Sequence, residues 1–512
     1  MRLRWLVAVM LLSCGIVNAQ QVDLILQGGL VVDGSGEAGR VTDVGITGDR
    51  IVFVGPKGAR TAKREIDATG MVVAPGFIDP HTHTAGDLSA PARSRNDAYL
   101  MQGVTTVATG NDGASPLDIG ATYAKWTQQG IGTNAVLFIG QGSVRHEAMG
   151  GDFDAKPTDV QMARMKQLVE KAMQDGAIGI STGLYYSPGS FSTTEEVIEL
   201  TKVAAAYGGI YDTHMRDESS YNIGLLGAVK ETIQIGREAH IPVMISHIKA
   251  LGADVWGQSA DVIALIDAAQ KDGVKVTASQ YPYDASGTSV VAALVPRWAE
   301  AGGRGALQRN LTDPALHAKL VSEMEDNMRR RGGPESLLMT ASRDKSILGK
   351  NLAEVAKERH ESPIDAAIQI SLNGDSDVAS FNMKESDIVA FMKQPWVMTC
   401  SDGSDGHPRK YGTFPRKYHE YVTEKHVLTL EQMVRSSTSL TAETLQLKDR
   451  GLLKAGYFAD VVVFDPKTFR DLSTYEQPKN LATGVKYLAV NGTLAIDGGQ
   501  LMDVKAGRAL KR

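Results

Sequence analysis

His81 and His83 stand two residues apart at the end of the apolar run Gly76–Pro80. On an extended strand both rings therefore leave the same face, and one strand delivers two imidazoles to one ion. Four further groups follow apolar runs in the same way. Asp112 comes after Thr105–Gly110, His214 after Ile210–Thr213, His247 after Pro242–Ser246, and Asp402 after Trp396–Cys400. Mixed imidazole and carboxylate ligands suit zinc or a similar divalent metal, as one or two ions. Water on such an ion has its pKa lowered to about 7, which yields hydroxide at neutral pH, and the ion also polarises a carbonyl. Asp402 is placed to take a proton from that water and return it to a leaving nitrogen. The chemistry is metal-assisted hydrolysis of an amide-like bond. His146, His240, His317, His360, His419 and His426 follow no such run and read as structural.

The elements that must position these groups form a regular series. Eight apolar runs qualify as strands: the five above and Ala135–Ile139, Ala177–Ser181 and Lys275–Gln280. Amphipathic stretches such as Asp159–Gln174, Thr194–Ala206 and Ser259–Lys271 separate them. Short strands alternating with helices are the signature of βα units around a parallel sheet. Eight of them predict an α/β fold, a (β/α)8 TIM-like barrel, whose polar rim lies at the C-terminal ends of the strands. The stretch from Val290 to about Arg343 is too long for one connection and reads as an inserted helical cap.

Outside residues 75–445 the texture changes. Asp23–Gln27, Leu30–Asp33, Val41–Thr47, Arg50–Val54 and Glu65–Asp67 read as short strands separated by Gly and Asp turns. Ala459–Phe464, Gly484–Val490 and Thr493–Asp497 read similarly near the other end. Residues 20–74 and 446–512 are thus β-rich flanks.

Residues 1–19 read as a cleaved signal peptide, with Arg2 and Arg4, the apolar run Leu6–Val17, and Val17-Asn18-Ala19 before Gln20. The expected location is the periplasm or outside the cell. Lipoprotein anchoring at Cys14, after Leu11-Leu12-Ser13, is the alternative. No later stretch is apolar enough to span a membrane. With two cysteines, Cys14 and Cys400, a disulfide scaffold is excluded. The formal charge of −5 leaves no basic surplus for nucleic acid.

Longer motifs narrow the reading. Pro75-Gly76-Phe77-Ile78-Asp79-Pro80-His81-Thr82-His83 resembles the first-strand motif of the amidohydrolase superfamily. Gly183-Leu184-Tyr185-Tyr186, Thr213-His214-Met215-Arg216-Asp217-Glu218, Ser246-His247-Ile248-Lys249, Tyr281-Pro282-Tyr283 and Ser401-Asp402-Gly403 with His407-Pro408-Arg409 together resemble the D-aminoacylases, the N-acyl-D-amino-acid deacylases. The resemblance runs from about Val22 to Gly499. It implies that His81, His83, His214, His247 and Asp402 lie at the metal, with Asp402 as general base. It also implies that both chain ends build one small β-sandwich domain.

One position departs from the family. Where its members usually carry Gly-Asn-Cys-Gly, with a metal-binding thiolate, this chain reads Gly110-Asn111-Asp112-Gly113. Asp112 can coordinate in its place, as a harder ligand. No lysine follows the fourth strand, so no carboxylated lysine is expected. The resemblance further implies that Lys249, Tyr281 and Ser286 hold the substrate carboxylate, while Arg409 either adds to that grip or meets an acidic side chain. Arg216, Asp217 and Glu218 are expected to form an ion network orienting His214. The expected partner is a small N-acyl-D-amino acid. The alternatives are a hydrolase of D-dipeptides or other acylated amides, and a periplasmic metal- or solute-binding pseudoenzyme.

Overall fold

The computed structural model describes residues 21–150 and 154–512. Residues 1–20, which include the expected signal peptide and Cys14, lie outside the described residues, as does the segment 151–153. Eight parallel strands pair in chain order: Phe77–Thr82, Val104–Thr109, Asn134–Gly140, Gly179–Gly183, Ile210–His214, Val243–Ile245, Val276–Gln280 and Val397–Thr399. Each overlaps one of the eight runs expected from the sequence. The second and third are buried along their whole length, as strands covered on both faces must be.

The first and last strands meet through backbone bonds from Asp402 N to the His81 carbonyl (3.0 Å) and from His83 N to the Gly403 carbonyl (3.3 Å). Asp79 reinforces the seam, its carboxylate accepting from Ser401 N at 3.1 Å and His81 N at 3.2 Å. Barrel closure and active-site assembly are therefore one event.

Helices cover the outside. Asp159–Gln174 starts at a reciprocal cap between Thr158 and Gln161 and turns Met165, Val169, Ala172 and Met173 inward. Thr194–Ala206 and Ser259–Lys271 form with the bounds expected from their periodicity.

Both flanks share one nine-stranded sheet, joined where Val72–Pro75 runs antiparallel to Val461–Phe464. Val72–Pro75 has no counterpart among the expected strands, because its four apolar residues merge in sequence with the first barrel strand. The two expected strands between Asp23 and Asp33 are one strand, Gln21–Val31, with a bulge between Leu26 and Gly29. Residues 505–512 leave the sheet and return to the barrel, Gly507 bridging Ile131 and Ala509 bridging Ala135. Stacked Phe77 and Phe414 (5.4 Å), with Phe464 and Phe469, fill the space between barrel and sheet.

The excursion between the seventh and eighth barrel strands is longer and more varied than a helical cap over 290–343. Besides the helices Gly303–Thr312 and His317–Arg330 it holds Leu352–Arg359 and Pro363–Leu372. It also holds an antiparallel sheet of Ala285–Ser289, Ser376–Phe381 and Leu337–Ser342. The sheet was hidden because its strands are polar and far apart in sequence. It hangs directly over the rim.

Sheet and barrel are locked by a buried polar network. Arg450 pairs with Asp460 and donates to Asn491 Oδ1 at 2.9 Å, and Asn491 donates to Asn134 Oδ1 on the third barrel strand at 2.8 Å. Removing one partner leaves a buried acid without its cation, at a cost of about 3–5 kcal/mol. Arg450→Met should therefore shift the denaturant midpoint clearly downward. An unchanged midpoint would show that the network contributes nothing to the junction.

Candidate active site

All six expected metal-site groups converge at the rim. His81 Nε2 lies 3.4 Å from Asp112 Oδ1 and 3.5 Å from Asp402 Oδ1. His83 Nε2 lies 3.0 Å from Asp402 Oδ1 and 3.5 Å from Asp112 Oδ2. His247 Nε2 and His214 Nδ1 approach Asp112 Oδ1 from the other side, at 3.5 and 3.9 Å. Asp112 therefore sits between His83 and the His214–His247 pair, with one oxygen toward each. His81, Asp112, His247 and Asp402 can offer ligand atoms within 4.8 Å of one another.

The backbone pays for this convergence at three points. Asp112, His247 and Asp402 all have left-handed φ values, 55°, 34° and 47°. Such a conformation is disfavoured for residues with a Cβ, and Asp and His tolerate it better than most. Each turn swings a side chain from the end of its strand over the barrel mouth. Gly183 leaves room for the first of them, since a Cβ there would stand 2.2 Å from the Asp112 carbonyl.

Burial works against charge on Asp112, yet the rings of His81 and His247 hold its carboxyl well below the usual carboxylate range. Asp402 is likewise opposed by burial and held low by Arg409, whose Nη1 is 2.9 Å from Asp402 Oδ2, and then by the imidazoles. Burial pushes His214 down to about 3, keeping its ring neutral, the form that ligates metals. For His247, burial and Lys249 are outweighed by Asp402, Glu218 and Asp112, and its pKa rises to about 9. The neighbouring rings thus shift in opposite directions.

Lys249, Tyr281, Ser286 and Arg409 line the same cavity of about 740 Å³. The Tyr281 hydroxyl has no hydrogen-bond partner among the described residues, and the Arg409 guanidinium lies 4.7 Å from the Tyr281 ring centre. Ser286 comes from the antiparallel sheet of the excursion and accepts from Asn382 Nδ2 at 3.1 Å.

The expected ion network takes a different form. Glu218 alone reaches the site, 3.5 Å from His214 Nε2 and 3.2 Å from His247 Nδ1, with Lys249 Nζ at 2.5 Å. Arg216 turns away to pair with Glu231 at 2.8 Å. Asp217 instead caps the following loop, accepting from the backbone N–H groups of Ser219, Asn222 and Gly224. In an extended run residues two apart would share a face, so the opposite directions of Arg216 and Glu218 come from the irregular loop after the strand Ile210–His214.

Two further acids, Asp212 and Asp79, were not among the expected site residues. Asp212 accepts from Ser246 Oγ at 2.6 Å and Asn111 Nδ2 at 2.8 Å, tying three strands together beneath the rim. Burial raises it to about 6, and raises Asp79 to about 7. His146, read as structural, lines the cavity wall, and so do Tyr185, Tyr186 and Tyr221.

An eight-stranded parallel barrel with imidazoles and carboxylates gathered at its rim is the architecture of the amidohydrolases. The Amidohydrolase family pattern matches residues 64–496. The chain is 35% identical to a D-aminoacylase of Alcaligenes xylosoxydans xylosoxydans, over 97% of this chain and 99% of that protein. Its fold superposes with a TM-score of 0.83 on the N-acyl-D-glutamate deacylase of Bordetella bronchiseptica, determined with zinc and a phosphonate inhibitor. That match is at 30% identity and covers 96% of this chain and 100% of the other. A D-aminoacylase structure described for its binuclear metal centre superposes with a TM-score of 0.82 at 33% identity, covering 96% and 100%. The chain belongs to the D-aminoacylase family of the amidohydrolase superfamily. It is an amidohydrolase.

Asp112 stands at the centre of the donor set, so the purified protein should carry divalent metal that Asp112→Ala loses. Metal content measured by plasma mass spectrometry checks this. Equal content in both proteins would remove Asp112 from the ligand set.

Proposed function

We propose that this protein hydrolyses the amide bond of N-acyl-D-amino acids, releasing a carboxylate and a free D-amino acid. The observation that carries this reading is the set of unpartnered buried donors facing one another at the rim. Both ring nitrogens of His81, Asp112 Oδ1 and His214 Nδ1 are buried without hydrogen-bond partners among the described residues. Orphaned buried polar atoms are costly unless something satisfies them, and a cation suits this all-nitrogen-and-oxygen set. His81, His83, Asp112, His214, His247 and Asp402 would hold one or two divalent ions, zinc among the candidates. Bound there, such an ion supplies Lewis-acid polarisation of the scissile carbonyl and a nucleophile at neutral pH.

The remaining work falls to the chain. Arg409 occupies Asp402 Oδ2, so the proton-accepting edge of Asp402 is Oδ1, which faces the histidines. There Asp402 takes the proton of the attacking water and delivers it to the departing nitrogen. The family's D-aminoacylase and N-acyl-D-glutamate deacylase members support the substrate class. The free carboxylate of that substrate finds the Lys249 ammonium, the unpartnered Tyr281 hydroxyl and the Ser286 hydroxyl on one side of the cavity. Lys249 is kept beside the site by Glu218, which also holds His247 Nδ1 and turns Nε2 toward Asp112. The expected leader over residues 1–19 supports export to the periplasm or out of the cell.

Assay with N-acetyl-D- and L-amino acids should show chelator-sensitive release of the D-amino acids. Asp402→Asn should lower kcat by at least about a hundredfold, the scale of general acid–base catalysis. Lys249→Met should raise KM with metal content unchanged. Absence of release from every N-acetyl-D-amino acid would contradict the reading.

A further inference from the structure

The loop after the last barrel strand carries, besides Asp402, a histidine outside the metal-site group. His407 is 2% exposed and lines the active-site cavity. Its two ring nitrogens hold two different elements. Nδ1 accepts from the Arg409 backbone N–H at 3.1 Å, and Nε2 lies 3.2 Å from the Ala285 carbonyl. A backbone N–H only donates and a carbonyl only accepts, so the two contacts fix one tautomer, bare at Nδ1 and protonated at Nε2. Burial, with Arg409 alongside, pushes the pKa of this ring well down and keeps it neutral.

Each partner leads to a group that the reaction needs. Arg409 holds Asp402 Oδ2 at 2.9 Å. Ala285 precedes Ser286 in the strand Ala285–Ser289 of the sheet over the rim. The two sides lie close together, with Gly287 of that strand leaving the room. A Cβ there would stand 2.7 Å from Arg409 Nη2 and 3.4 Å from His407 Cδ2. Two tyrosines hold the His407 ring edge-on, Tyr283 at 5.6 Å and Tyr475 at 5.2 Å between ring centres. Tyr283 lies just beyond the seventh barrel strand, whereas Tyr475 belongs to the flanking sheet, in the connection between Val461–Phe464 and Val485–Val490. From the same connection Ser473 Oγ donates to the Pro408 carbonyl at 3.1 Å. Barrel, overhanging sheet and flanking sheet thus meet at one imidazole.

We infer that His407 is a positioning residue that clips the strand bearing Ser286 to the loop bearing Asp402 and Arg409. It thereby sets the spacing between the grip on the substrate carboxylate and the general base. His407 acts through Arg409 and Ala285 and moves no proton itself. Tyr475, by backing the ring, gives the flanking sheet a share in the active site. Spacing of this kind matters, because a misplacement of about 1 Å costs about a hundredfold in rate. The inference rests on the deacylase reading, in which Ser286 and Asp402 work on two parts of one substrate.

The test takes the two bonds apart, using the N-acetyl-D-amino acid that the wild type turns over fastest. In His407→Asn the side-chain oxygen can replace Nδ1 and keep Arg409, while nothing reaches Ala285. In His407→Gln the amide nitrogen can replace Nε2 and keep Ala285, while the Arg409 N–H loses its acceptor. His407→Asn should raise KM about tenfold and leave kcat within about twofold, and His407→Gln should do the reverse, each a part of the cost of a full misplacement. His407→Phe, which fills the space and makes neither bond, should show both losses. Metal content should stay equal in all three, and thermal melts check that they fold. Tyr475→Leu, at a half-buried position, keeps the test open should the His407 variants fail to fold, and should lower kcat/KM about fivefold. Lower melting temperatures with kcat and KM unchanged, or the same kcat and KM changes in His407→Asn and His407→Gln, would overturn the positioning role. So would an unchanged kcat/KM in Tyr475→Leu. A wild type that releases no D-amino acid from any of these substrates would overturn the deacylase reading itself, and the role with it.

Discussion

Three carboxylates, the buried Glu218 and Asp402 and the half-buried Asp112, each lie within 4 Å of imidazole nitrogens at the rim. Such a group is tolerated only if positive charge is delivered to it. Arg409 and Lys249 deliver part, each tied to one acid, Asp402 and Glu218 respectively. Asp112 has no lysine or arginine of its own, and its Oδ1 is unpartnered among three ring nitrogens. The unmet demand for a cation is therefore concentrated at Asp112. Much of the surrounding structure holds that demand in place.

Holding it requires the barrel to close correctly. Asp79 bridges the first and last strands directly below His81 and Asp402, and Asp212 binds groups from the second and sixth strands beneath the rim. Both acids are shifted upward by burial, the expected response of a carboxyl packed inside a protein without a cation. The excursion before the last strand then roofs the cavity. Because it carries Ser286, the roof shapes what the site admits while the barrel rim performs the chemistry.

The barrel was legible because its signal is redundant. Eight apolar runs at the expected spacing, seven of them buried along their whole length, can hardly form anything else. The six candidate metal-site groups could be picked out for the same reason, since each lies at or just beyond the C-terminal end of a strand. What escaped was non-local or directional. The antiparallel sheet pairs residues such as Ser286 with Ser380, almost a hundred positions apart, through strands with no apolar alternation. Glu218 and Arg216 have the same local context and opposite fates, decided by which way each side chain leaves the loop. The left-handed turns at Asp112, His247 and Asp402 leave no trace in composition.

Anomalous diffraction from crystals of the purified protein, recorded at the absorption edge of the metal it carries, addresses the convergence at Asp112 most directly. A peak is expected in contact with the Asp112 carboxylate and ring nitrogens of His81, His214 or His247. A rim without anomalous density, with the His81 and His214 nitrogens bonded to protein groups instead, would contradict it.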